Sequence, residues 1–456
     1  MLGKLLQPEL EELLRHGEYA TLREMLEDMD PPDLVEMIEE LPPTEMVVLF
    51  RILPRTLAAD VFEYLPLETQ NDMLKAMGQE QLAGLLNDMD PDDRTALLEE
   101  LPAEVTRRLL TLLSPAELAV AKQLLGYPEE SIGRLMTPDF VAINPEWTMD
   151  QVLAHIRVRG KDSETINVLY IVDEKNHLID DIRLREVLLA PVTTRVKELM
   201  DHTFVWLRAT DDQETAVTTF KKYDRTALPV IDSEGALVGI VTVDDVLDVA
   251  EEEATEDIHK LGGLEALELP YLSTHLPTMI RKRAGWLVLL FLGELLTATA
   301  MGFFEKEIEK AVVLALFVPL IISSGGNSGS QAASLIIRAL ALGEVTLADW
   351  WRVMHREVLT GLALGAILGA VGFMRISLWS AFSDIYGPHW TAVGITIWFS
   401  LIGVVLWGTL AGSLLPLVMK RFGADPATSS APFVATLVDV TGLVIYFSIA
   451  SLIMLR

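Results

Sequence analysis

The chain has 456 residues, 66 acidic against 36 basic, for a formal charge of −30, with half its residues hydrophobic and no cysteine. Residues 1–270 carry 56 acids and 24 bases, a balance of −32, whereas residues 271–456 carry 10 acids and 12 bases, a balance of +2. The missing cysteine excludes disulfide scaffolds, zinc-thiolate and iron-sulfur sites; the acid excess argues against a phosphate-backbone partner, so no nucleic acid is expected; and the polar, acidic stretch MLGKLLQPELEELLRHGEY does not read as a signal peptide, so the acidic part is expected in the cytoplasm.

Residues 1–130 read as an acidic helical-repeat domain. Met29, Leu41, Leu53, Leu65, Met77, Met89, Leu101 and Leu113 recur at every twelfth position, nearly all followed by a breaker or cap such as Pro42, Pro54, Pro66, Gly78 or Asp90-Pro91. Proline or an Asp/Ser cap ends one helix and pre-sets the next, so each period predicts a helix of about two turns plus its connection. Such helices bury a core only when stacked, and pairs of 24 residues make an α-solenoid unit. The acids Asp88, Asp90, Asp92 and Asp93 are expected to lie mostly on a solvated face.

Residues 131–248 change to short β-branched runs alternating with helical stretches. Two copies, about 131–195 and 196–248, are visible: Leu135-Met136 matches Leu199-Met200, and Val172-Asp173 matches Ile231-Asp232. The pattern resembles a tandem α+β pair of CBS domains, and the second copy carries that family's closing GIVTVDD at 239–245. The first copy has Asp180 where the family usually has glycine. The resemblance implies ligand sensing and dimerisation, with ATP a candidate ligand.

The next segment, 249–280, reads as an acidic connecting helix. With the end of the second copy it supplies Asp244, Asp245, Asp248, Glu251, Glu252, Glu253, Glu256 and Asp257, eight carboxylates within fourteen residues. Their repulsion at helical spacing predicts a helix that stays loose until a cation binds. Hard oxygen ligands without cysteine suit Mg2+ or Ca2+.

Residues 281–456 hold five apolar stretches, 284–304, 311–337, 358–382, 391–419 and 431–455, each long enough to cross a bilayer, which takes about 20 helical residues. Arg281, Lys282 and Arg283, then Arg352 and Arg356, then Lys420 and Arg421 occupy alternate connections, which puts them and the N-terminus in the cytoplasm and Arg456 outside. Arg375 falls near an outer end, where it can snorkel to headgroups. Glu294 and Asp439 lie within apolar runs, where an ionisable group is costly and by default marks an ion path. The run APFVATLVDVTGL around Asp439 has the composition of a distorted helix lining a cavity. The run VPLIISSGGNSGSQ in the second span offers either close packing or free carbonyls.

The acidic repeat, the CBS pair, EEEATEDIHKLGG, GGNSGSQ and PFVATLVDVTGL together resemble the MgtE family of magnesium channels, over essentially the whole chain. The resemblance implies an α-solenoid N-terminal domain, a tandem CBS pair and an α-helical transmembrane domain of five spans. It further implies a homodimeric, multi-pass Mg2+ channel for magnesium uptake in a bacterial inner membrane. Asp439 would be the pore aspartate, one from each protomer, with Asn327, Thr436 and Gly442 as further pore residues. The connecting helix would act as a plug. Asp212, Glu214, Asp224, Asp245, Asp248, Glu253, Glu256 and Asp257, together with Asp88 and Asp92, would hold the cytosolic Mg2+ that keeps it shut. The alternatives are a CBS-regulated channel for another divalent cation such as Co2+ or Mn2+, and a membrane-anchored sensor or scaffold. An enzyme is disfavoured, because no paired nucleophile and base, phosphate loop or dinucleotide motif is present.

Overall fold

The computed structural model describes residues 2–39, 41–267, 271–272, 274–305, 312–383 and 385–454. Position 311, the expected start of the second span, and Arg456, the expected outer terminus, lie outside the described residues. The chain divides into two compact units, Met1–Glu253 and Ala254–Arg456.

The first unit opens with short helices running from Leu2–His16 to Pro115–Leu124. Most pack on the helix two further along: Pro31–Ile38 on Arg55–Glu63, Pro43–Ile52 on Leu67–Ala76, and Arg55–Glu63 on Gln79–Asp88. This spacing is the 24-residue unit of the sequence repeat. The repeating apolar residue is the one that leaves the helix. Leu53, Met77, Met89 and Leu101 are C-caps with extended backbone, and all four are buried in the solenoid core. The following Pro54, Gly78, Asp90 or Pro102 opens the next helix, so each period drops one side chain into the core as the chain turns.

Two three-stranded sheets follow. In the first, β1 (Ala142–Ile143) runs parallel to β2 (Val168–Val172), which pairs antiparallel with β3 (Leu178–Arg183). In the second, β4 (Leu207–Arg208), β5 (Ala227–Ile231) and β6 (Leu237–Thr242) repeat that topology. The register puts Asp180 opposite Ile171 and Gly239 opposite Val230, so the two residues are equivalent. A Cβ at Gly239 would lie 2.8 Å from both Met136 Sδ and the Thr137 carbonyl, which explains the glycine there. In the first copy the side chain is instead accommodated: Asp180 is fully buried, and its carboxylate accepts the backbone N–H groups of Asp181 at 3.0 Å and His202 at 2.9 Å.

The acidic helix spans Val243–Leu261, beginning directly after β6, so it starts and ends earlier than the expected 249–280. Gly263 turns the chain in the left-handed region at φ +74°, where a Cβ would lie 2.7 Å from the Trp286 ring.

The second unit has five helices long and apolar enough to cross a membrane among the described residues. The first span helix is Leu276–Phe303, the second Val318–Ala341 after a 3-10 turn at Val312–Phe317, the third Trp350–Ser380, the fourth Trp390–Arg421 and the fifth Ala431–Met454. Glycine at every fourth position lets backbones approach. Gly361 and Gly365 of the third helix sit against Leu406 and Ile402 of the fourth, while Gly325 and Gly329 of the second meet Gly408 and Gly412 of the fourth. The second helix runs unbroken through GGNSGSQ, with Gly325 and Gly329 in the close packing that is one of the two expectations for that run. The fifth, expected to be distorted, is regular because Pro432 is its second residue, where a missing N–H costs nothing. Arg375 lies over the Trp379 ring at 5.9 Å.

Candidate metal sites

In the first unit, Asp90 caps the helix Pro91–Glu100, and Asp92 and Asp93 occupy its first turn. An acid at a helix N-terminus is locally favoured by the dipole, which explains why three aspartates can stand there. Other acids then crowd them. The carboxylate oxygens of Glu63, Asp90 and Asp93 all lie within 4.8 Å of one another, and Glu63 also accepts the Asp90 backbone N–H at 3.0 Å. Asp92 is 7 % exposed, and its Oδ1 has no hydrogen-bond partner. The buried cation two residues on is engaged elsewhere. Arg94 donates to the Leu86 and Met89 carbonyls and pairs with Glu117 at 2.6 Å.

The charges acting on this group come from both the solenoid and the CBS pair. Burial first, then Asp245, Asp93 and Glu164, holds the Asp92 carboxyl well above the usual range. Burial and Asp93 push Glu63 up to about 8; burial, Asp245 and Asp90 push Asp93 to about 7. Burial, Asp90 and Asp245 push Glu164 to about 7. Burial also raises Asp245 to about 6, against the hydrogen bond from Thr242 Oγ1 at 2.6 Å, which ties Asp245 to the start of the acidic helix. Asp248 is raised by burial, Glu251 and Asp244. Such a group is poised to exchange protons for a divalent cation.

Asp92, Asp245 and Asp248 are thus brought to one place, and the solvated-face expectation is corrected for Asp92. Asp90 and Asp93 join Glu63 in a cluster of carboxylates that could hold a metal ion. Asp88 lies exposed at the end of Gln79–Asp88. Asp212 caps the helix Gln213–Tyr223 by accepting the Glu214 N–H at 2.9 Å, and Asp224 ends it in the left-handed region at φ 48°; each therefore has a backbone role in this chain. Glu214 is exposed on that helix. Glu253 accepts from Gln213 Nε2 at 3.2 Å, fastening the acidic helix to the second CBS copy. Sequence reasoning missed Glu63 and Glu164, since neither belongs to an acidic run.

In the second unit, Lys260 bridges Glu256 at 2.5 Å and Asp425 at 2.7 Å. Burial opposes its charge, but its hydrogen bonds to Asp425 and Glu256 prevail and hold its pKa raised. Asp257 is raised by burial and by Asp425. Asp425 also caps the turn Pro426–Thr428, and the Asp-Pro pair was its one visible signal.

Among the pore expectations, Asp439 lies about a third of the way along the fifth helix, with its Oδ1 3.8 Å from where a Gly326 Cβ would stand. Glu294 lies on the first helix, Leu276–Phe303. Gly293 of the first helix faces the Thr436 methyl, and Thr436 Oγ1 donates to the Pro432 carbonyl at 3.0 Å. Asn327 is exposed, with Nδ2 3.4 Å from Ser323 Oγ. Gly442 is buried, where a Cβ would meet Val404 at 3.1 Å, a packing position.

Comparison with known proteins adds an independent line. Residues 318–449 match a family profile described as a divalent cation transporter, residues 29–130 match the MgtE intracellular N domain, and 132–192 and 196–252 match CBS domains. The chain is 42 % identical over 348 residues to a protein named magnesium transporter MgtE from Thermus thermophilus, covering 76 % of this chain and 75 % of that one. It is 35 % identical to a protein of the same name from Enterococcus faecalis, covering 74 % and 72 %. Among solved structures it is similar to the cytosolic domain of the Mg2+ channel MgtE in complex with ATP, at 40 % identity and a TM-score of 0.51, over 54 % of this chain and all of that one. It is also similar to the soluble part of a magnesium transporter, at 30 % identity and a TM-score of 0.53, over 55 % and 99 %.

Proposed function

The chain belongs to the MgtE family of divalent cation transporters, and from that premise we propose that it conducts Mg2+ across a membrane and is closed by Mg2+ bound to its acidic unit. The observation that carries the gating part is the buried, unpartnered Oδ1 of Asp92 beside carboxylates of Asp93, Asp245 and Glu164. These belong to two modules, the solenoid and the CBS pair. A hard divalent cation among them neutralises the repulsion and holds the modules together; without one, they separate or take up protons. Moving a two-state gate from mostly open to mostly closed takes about 5.5 kcal/mol of differential binding, a sum that several weak sites can supply. Asp88, Asp212, Glu214, Asp224, Glu253, Glu256 and Asp257 are proposed as further contributors, and the acidic helix Val243–Leu261 as the plug they hold.

The pore reading rests on Asp439 within a membrane-length apolar helix. Mg2+ dehydrates reluctantly, so carboxylates and carbonyls hold it best through its water shell. In a homodimer two copies of Asp439 face one ion, and a divalent cation between them is favoured over a monovalent one. The solved relative in complex with ATP supports a nucleotide at the CBS pair. A multi-pass bacterial inner membrane location, with the acidic unit in the cytoplasm and the C-terminus outside, completes the proposal. Mg2+ flux into liposomes tests it: flux in the wild type and none in Asp439→Ala is expected. A wild type without flux supports the anchored-scaffold alternative, and flux in Asp439→Ala places the ion path elsewhere.

A further inference from the structure

Between the start of the third span helix and the end of the fourth, a groove of about 500 Å³ opens on the second unit. Leu347, Trp350, Leu414, Leu417 and Val418 line it, and Arg421 stands at its rim. The floor is firm, because Leu417 and Leu414 pack with Ile336, Leu340 and Val353 of the second and third helices. Trp350 is half exposed and stacks edge-on with Trp351, ring centroids 5.5 Å apart. Indoles at a span end mark the headgroup level of a bilayer. Lys420 and Arg421 lie exposed at that level, and no ion pair to either is present among the described residues.

We propose that this groove binds one anionic phospholipid, its acyl chain against Leu414, Leu417 and Val418 and its phosphate on Arg421, with Lys420 adding charge. The argument is complementarity at a fixed depth. An apolar trough at the end of a membrane span is filled by a lipid tail, and two exposed cations at its headgroup end favour a net negative headgroup over a zwitterionic one. A protein occupant would need both an apolar ridge and a carboxylate at headgroup depth.

The test offers the purified full chain in detergent equal amounts of phosphatidylglycerol and phosphatidylcholine and counts retained lipids by native mass spectrometry. Preferential retention of phosphatidylglycerol is expected, falling about fivefold for each charge removed in Arg421→Gln and in Lys420→Gln/Arg421→Gln. Ala348→Trp, which fills the groove from an exposed position, is expected to abolish the preference without lowering the unfolding temperature. Equal retention of the two lipids, or unchanged retention in the charge variants, overturns the proposal. So does a change of oligomeric state in Ala348→Trp without loss of lipid, which assigns the groove to a second copy of the chain. If Ala348→Trp does not fold, the charge variants decide alone.

Discussion

Changing pH from 6 to 8 titrates the cluster around Asp92, and Mg2+ must then displace fewer protons to bind. Glu63, Asp93, Glu164 and Asp245 are raised to about 8, 7, 7 and 6. Together they hold roughly three protons at pH 6 and roughly one at pH 8, counted as independent groups. If the cation displaces even one of them, its apparent affinity rises about tenfold per pH unit in this range and flattens above pH 8. The sign for the empty protein is opposite. Carboxyls whose native pKa lies above the unfolded value of 3.8 or 4.5 favour the packed arrangement at low pH, and that stability is lost as pH rises through the native values of about 6 to 8. Acid therefore mimics Mg2+. A pH-stat titration of the full chain in detergent measures the base needed to hold pH 6.5 as Mg2+ is added. The wild type is expected to release about one proton or more beyond the Glu63→Gln/Asp93→Asn variant. Equal release from the two proteins, or a Mg2+ affinity that is flat between pH 6 and 8, refutes the reasoning.

Three further outcomes follow from other contacts. Replacing Gly412 by Leu drives a side chain into the Gly329 backbone and is expected to cost about 1–3 kcal/mol or to unseat the second helix from the fourth; Gly285→Ala, which meets nothing within 4 Å, is the neutral control in a thermal unfolding assay. Asp180→Ala leaves the His202 and Asp181 N–H groups without their carboxylate acceptor and is expected to destabilise the first CBS copy by about 1–3 kcal/mol, read by denaturant unfolding. Lys260→Met removes the cation between Glu256 and Asp425; in the natural absence of cysteine, spin labels placed at Ile258 and Phe422 are expected to show a broadened distance distribution without Mg2+ that sharpens when Mg2+ takes the lysine's place.

What could be read from the sequence was whatever repeats or runs. The twelve-residue spacing of Leu53, Leu65, Met77, Met89 and Leu101 shows because each residue precedes a breaker or cap, and the CBS copies show because their strands recur in one order. Burial of Asp92 does not show. Its neighbours Glu63, Glu164 and Asp245 come from three distant segments, and whether an acid in a helix's first turn meets water or other acids depends on which module docks there. Glycine carries a similar ambiguity. Gly325 and Gly442 stand in segments rich in pore-like composition, yet both pack against Val404, and nothing adjacent in sequence announces that partner. Pro432 suggested a distorted helix from composition alone, whereas its position in the first turn leaves the helix regular.

The central claim is that the ion conducted is also the ion read by the acidic unit. Mg2+ flux through the reconstituted wild type and the Asp92→Asn/Asp93→Asn/Asp245→Asn variant, measured as Mg2+ is raised on the side of the acidic unit, tests it most directly. Wild-type flux is expected to fall steeply as Mg2+ rises, whereas the variant, whose cluster has lost the charges that Mg2+ binds, is expected to lose that Mg2+ dependence; the same steep fall in both at the same concentration contradicts the account.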